Sequence, residues 1–245
     1  MVSSTVDHMV AITVFLAATL LFIGLFNQTI QTAVIYQRHR ATATKASDLL
    51  DGMLYFRTKK GVLDALYTTY GFDYILTAYL DGQLDVFVLD SDPNWALVYW
   101  DDVSLLYLRT GAKYESIIAR DAYRVVRPEV APIKILERAG ETELLDGIIA
   151  ELKRNIIETD SRRGRLLLGY ACLAKGLLDE SKDNLEWVVD MYPRDAEAHY
   201  GLGVLYEKTG DVKAAKKQLK IAKAYANYPE LKRRAISELE SLQHK

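Results

Sequence analysis

The feature that most constrains this chain is a pattern in its C-terminal half that recurs 34 residues later. Leu168 and Gly169 recur as Leu202 and Gly203, Gly176 as Gly210, and Leu185 as Leu219, while Ser181 and Val188 recur as Ala215 and Ala222. A period of that length, with small and large residues in fixed order, describes a helix–turn–helix unit that stacks on its own copies. Each unit has an apolar face it cannot bury alone, so neighbouring units cover one another and build a continuous core.

The second copy, 196–229, opens Ala196-Glu197-Ala198-His199-Tyr200-Gly201-Leu202-Gly203-Val204-Leu205-Tyr206 and reaches Gly210-Asp211. This order resembles the tetratricopeptide repeat family, with His199 where a large aromatic is usual. The first copy, 162–195, keeps Gly169, Gly176 and the terminal Pro193. A degenerate earlier unit is expected over 131–160, turning at Gly140. A last helix, from Glu230 to Gln243, places Leu231, Ala235, Ile236, Leu239 and Leu242 on one face and charges on the other, as in a solenoid cap.

The resemblance implies a concave groove that holds a protein or peptide and is lined by the first helix of each repeat. Carried over position by position, it assigns Arg163, Leu166, Tyr170 and Leu173 from the first repeat. From the second it assigns Glu197, Tyr200, Val204, Glu207 and Lys208. The lysine/asparagine clamp that some members use for a terminal carboxylate is not matched, because Leu166, Tyr170, Tyr200 and Val204 stand in its places. A groove of apolar and aromatic residues suits a helix or an extended segment with hydrophobic anchors. In the competing reading, Leu166 and Tyr170 pack on the middle of the chain instead.

At the other end, residues 9–26 carry no charge, and Val10, Ile12, Phe15, Leu20, Leu21, Phe22, Leu25 and Phe26 make up much of the run. A bilayer core needs about 20 helical residues, and residues 27–36 extend the run past that length. An uncleaved anchor helix is expected. The residues before it include Asp7 but neither Lys nor Arg, which argues against a cleaved signal peptide with its basic start. Arg38, Arg40, Lys45, Arg57, Lys59 and Lys60 follow it, against Asp48 and Asp51. The positive-inside rule then puts the remainder in the cytoplasm. Asn27 and Gln31 suit a polar seam between membrane helices, which makes a homo-oligomer a further option.

The middle reads differently. Residues 62–66 have helical spacing that ends near Gly71, and 73–79 read as a strand. Residues 84–89 fit a short helix or a strand equally. After a break at Pro93-Asn94, the runs 95–100 and 103–108 flank Asp101-Asp102, a hairpin signal. A small α/β unit with three strands is expected. The stretches Gly71-Phe72-Asp73-Tyr74-Ile75-Leu76, Asp92-Pro93-Asn94-Trp95-Ala96-Leu97-Val98-Tyr99, Asp101-Asp102 and Leu106-Tyr107-Leu108-Arg109 resemble the soluble tail domain of dolichyl-phosphate-mannose-type glycosyltransferase-like membrane proteins. That resemblance implies kinship of an accessory domain without transferase activity. It also implies a location outside the cytoplasm, opposite to the charge argument.

No set of residues argues for catalysis or a cofactor. His8, His39, His199 and His244 are scattered, and Cys172 is a lone thiol inside a repeat helix. Asp85, Asp90, Asp92, Asp101 and Asp102 are the densest carboxylates, but they lack the spacing of a calcium loop and read as turn residues, so no metal is expected. Trp95, Trp100 and Trp187 read as core or sheet-face residues, with a sugar-stacking platform as the alternative. Lys213, Lys216, Lys217, Lys220 and Lys223 fall at helical spacings that put most of them on one solvated face, with a nucleic-acid or lipid-headgroup contact as the alternative. Because the net charge of the 245-residue chain is only -2, no nucleic-acid partner is expected.

The expected architecture is therefore mainly α. It comprises an N-terminal extension and transmembrane anchor (1–36), a juxtamembrane helix or linker (37–60), a small α/β domain with a three-stranded sheet (61–127), and a helical repeat solenoid (128–245). The expected function is a single-pass membrane scaffold that binds a protein partner in its groove. The alternative is a non-catalytic accessory or remnant subunit of a cell-surface glycan or protein-glycosylation system.

Overall fold

The computed structural model describes residues 59–78 and 86–244. The proposed anchor run, the juxtamembrane segment up to residue 58, and Asp85 lie outside the described residues. Among the described residues, no helix is long and apolar enough to cross a membrane.

The chain begins with α1 (Lys59–Tyr70) and β1 (Tyr74–Ala78), followed by α2 (Val86–Ser91), β2 (Trp95–Trp100) and β3 (Ser104–Arg109). The sheet has three antiparallel strands in the order β1-β3-β2, with Leu76 opposite Leu106 and Leu97 opposite Tyr107. Trp100, Leu105 and Tyr107 are fully buried on it, each of a size whose burial is worth about 2–3 kcal/mol. The hairpin turn is closed by Asp101, whose Oδ1 accepts from the backbone of Val103 and Ser104 at 2.7 Å each. The ambiguous 84–89 run is helical from Val86 onward.

A short helix, α3 (Glu115–Asp121), leads to a strip tied down by one carboxylate. Glu151 accepts from the backbone N–H groups of Arg124, Val125 and Val126 at 2.7, 3.1 and 2.9 Å. Glu151 belongs to the helical array, which runs α4 (Pro132–Leu136), α5 (Thr142–Thr159), α6 (Arg162–Lys175), α7 (Leu178–Met191), α8 (Ala196–Lys208), α9 (Val212–Tyr225) and α10 (Pro229–Ser241). Over 131–160, where a degenerate unit is expected, two helices meet at Gly140 with positive φ, the first of them only five residues long.

The 34-residue period has a physical basis at its repeated glycines and the leucines they meet. A Cβ on Gly169 would sit 2.6 Å from Leu185 Cγ, and one on Gly203 would sit 2.6 Å from Leu219 Cγ. Both glycines thus let the two helices of a repeat close on a leucine. Gly176 and Gly210 end the first helix of each repeat at φ +85° and +83°, a conformation that glycine adopts without steric cost. One core runs from Leu63 and Trp100 through Leu166 and Leu202 to Leu242, so sheet and repeats share it.

The junction between them is polar and specific. Helix α6 starts with four N–H groups that have no partner within the helix. Ser161 Oγ takes that of Gly164 at 3.0 Å, and the N–H of the N-cap Ser161 itself goes to Thr159 Oγ1 at 3.2 Å. The other two go to the hairpin: Asp102 accepts from Arg162 N and Arg163 N at 2.7 Å each. Nearby, Asn155 Nδ2 donates to the Trp100 carbonyl at 2.8 Å, which joins α5 to β2.

Candidate interaction surface

The groove positions are brought together but are not open. Leu166, Tyr170 and Leu173 have no exposed surface, and Arg163 and Tyr200 are nearly as deep. Tyr170 points into the seam between repeats. Its hydroxyl donates to the Glu197 carbonyl at 2.7 Å, and its ring would meet a Cβ added at Gly201 at 2.9 Å. These five residues therefore correct the groove reading: they form the repeat interior and cannot line a vacant channel. The middle of the chain alone does not bury them, since the next repeat takes Tyr170.

Two flanking segments account for the rest. Arg163 Nε donates to the Pro128 carbonyl at 2.8 Å, and a terminal guanidinium nitrogen donates to the Val130 carbonyl at 2.7 Å. This lays residues 128–130 along α6 before α4 packs Ile133 and Ile135 into the core. The same guanidinium meets Glu197 at 3.2 Å, and Glu197 in turn accepts from the Tyr228 hydroxyl at 2.9 Å. From the C-terminal side α10 reaches back, and Arg234 pairs with Glu137 at the end of α4 as well as with Glu230. Burial and the nearby Glu238 push the Tyr200 hydroxyl well above its ordinary range. A solenoid end leaves an apolar face in water unless something covers it. Here the chain covers its own first helices from both sides.

What stays accessible lies toward the end of α8. Val204 and Glu207 are half-buried and Lys208 is exposed. Glu197, also half-buried, is engaged as described.

The remaining candidates have structural duties. Asp90 accepts from the Tyr107 hydroxyl at 2.9 Å and pairs with Arg127 at 3.3 Å. Asp92 accepts from Asn94 at 2.8 and 3.0 Å, and Asp102 caps α6. Cys172 is buried, and burial pushes its thiol up to about 12. His199 is held between Gln218 and the Pro193 carbonyl at 2.6 and 3.0 Å. Trp95 and Trp100 are interior, while Trp187 is half-buried beneath the Arg165 guanidinium. Sequence reasoning missed the use of Asp102 and the polar chain from Pro128 through Arg163 and Glu197 to Tyr228. Their partners lie 31 to 61 residues apart, beyond any local spacing.

No curated protein matches this chain. The resemblance of the middle segment to glycosyltransferase-like tail domains accordingly gains no support. Residues 166–229 do match a family model, that of the tetratricopeptide repeat.

Proposed function

We propose that this chain is a non-catalytic, membrane-tethered scaffold that holds a protein partner on its repeat array. The observation that carries this reading is the pair of stacked 34-residue units at 162–229, of which the matched stretch covers all but the first four residues, a type of repeat that generally binds proteins. The uncharged run at residues 9–26 supports the tether, and the basic residues after it support a cytoplasmic array. Because Arg163, Leu166, Tyr170, Leu173 and Tyr200 are interior, recognition falls to the open rim at Val204, Glu207 and Lys208. Tethering concentrates the partner at the bilayer, so modest affinity suffices. An accessory role in a glycan system draws less support, since Trp95 and Trp100 are buried and only Trp187, half-buried beneath Arg165, is left among the three tryptophans as an aromatic platform.

The test is cross-linking in intact membranes followed by purification through a C-terminal tag. Val204→Arg together with Lys208→Glu should lose the partner that the wild-type chain recovers, with an unchanged melting temperature. The same partner recovered in the same amount would sink the rim assignment.

A further inference from the structure

Between Lys208 and Arg234 nine basic residues stand against two acidic ones, in a chain whose net charge is -2. Five of the nine lie on α9. Its buried side is Ala215, Leu219 and Ala222. Lys213, Lys217, Lys220 and Lys223 are exposed and Lys216 is partly so. At 100° per residue these five fall within an arc of about 120°, over about 15 Å of helix. None forms an ion pair among the described residues. Elsewhere in the described residues most lysines after α1 are paired: Lys113 with Asp73, Lys134 with Glu137, Lys153 with Glu180, Lys175 with Asp146 and Lys182 with Glu186, with Lys208 and Lys232 the exceptions.

The type of cation points to the type of partner. Where this fold needs fixed geometry it uses arginine, as at Arg162 with Asp195 and Arg163 with Glu197. The α9 face carries lysine alone, a hydrated point charge suited to diffuse attraction rather than to planar two-point recognition. Ala224 is the small apolar residue among them and gives no anchor of the kind that carries a protein interface. Tyr225, close to half exposed, stands at the end of the helix, as aromatics do at a membrane–water boundary.

We infer that the lysine face of α9 docks on an anionic lipid headgroup surface, so that the array lies against the bilayer. This rests on the membrane tether proposed above, and the experiment separates the two. The full-length chain is mixed with phosphatidylcholine vesicles, with and without phosphatidylglycerol, and floated on a density gradient. Acetylation rates of the α9 lysines are then read by mass spectrometry, with Lys182 as the internal reference.

Each lysine near an anionic leaflet contributes about a fivefold factor in partition. The expected result is flotation with both vesicle types and slowing of Lys213, Lys217 and Lys220 by on the order of tenfold, only with phosphatidylglycerol and only at low salt. Lys217→Gln with Lys220→Gln, which preserves helix propensity, should relieve the slowing at Lys213. Flotation with both vesicle types and equal acetylation overturns the docking face and leaves the tether standing. Flotation with phosphatidylglycerol alone, abolished by the double substitution, supports the face and overturns the tether. No flotation overturns both. Equal rates on vesicles but slowing by soluble polyglutamate overturn lipid docking in favour of an acidic protein partner.

Discussion

Replacing Asp102 with alanine removes the clasp between the sheet hairpin and the repeat array. The carboxylate takes two N–H groups in the first turn of α6, one on each oxygen, at 2.7 Å. A side-chain cap of this kind is worth about 0.5–2 kcal/mol. An anion at the positive end of a helix adds about 0.3–1 kcal/mol. A loss of about 2 kcal/mol is therefore expected for Asp102→Ala. In a folded region of this size 1 kcal/mol shifts the melting temperature by about 2–4 °C, so the fall should be about 4–8 °C. Circular dichroism at the helical band and tryptophan fluorescence from buried Trp100 should report it together, because Asn155 ties the Trp100 carbonyl to α5. Asp102→Asn should fall between the two, since the amide keeps one acceptor but loses the charge. A melting temperature for Asp102→Ala within a degree of wild type would refute the clasp.

Three further outcomes follow from the packing and charge of the fold. Gly203→Ala places a methyl 2.6 Å from Leu219 Cγ, and overpacking of about 1–3 kcal/mol outweighs a helix-propensity gain of about 1 kcal/mol; a higher denaturant midpoint for the variant would contradict this. Burial of the Glu129 carboxyl, reinforced by the Asp90 charge and opposed by Arg127, raises it from its ordinary 4.5 to about 7. The folded chain then keeps a proton that the unfolded chain has lost, so this contribution is complete below about pH 4.5 and is lost as pH rises through about 7. Glu129→Gln should flatten that part of the pH–stability profile, and an unchanged slope would remove the role of Glu129; because the residue is partly open to solvent, the effect is small. Finally, a tag after Lys245 should be digested in inverted vesicles and protected in intact cells, whereas digestion on intact cells would reverse the proposed orientation.

The repeats were legible because their period arises from contacts that recur in register. Gly169 with Leu185 and Gly203 with Leu219 are the same contact made twice. The hairpin was legible because Asp101 builds its turn from neighbours two and three residues away. Helix α3 left no signal, since it buries no residue and so shows no apolar stripe. The residues at 84–89 were ambiguous because so short a run has no decisive period. The groove positions were placed on the correct helices, yet their accessibility depended on what covers them. That covering comes from residues 128–137, from α10 and, for Tyr170, from α8, and no local pattern encodes it. Arg234 lies 97 residues from Glu137.

The meeting of Glu137 and Arg234 tests most directly the claim that the chain closes its own groove. Arg234→Lys keeps the charge and supplies an amine that a carbodiimide can couple to a touching carboxylate. Treatment of the full-length variant, digestion and mass spectrometry should yield a peptide pair joining positions 137 and 234, beside the pair joining Lys153 and Glu180, which lie 2.7 Å apart. Coupling at Lys153 and Glu180 with none between positions 137 and 234 would show an open inner face. It would return Arg163 and Tyr200 to the list of partner contacts.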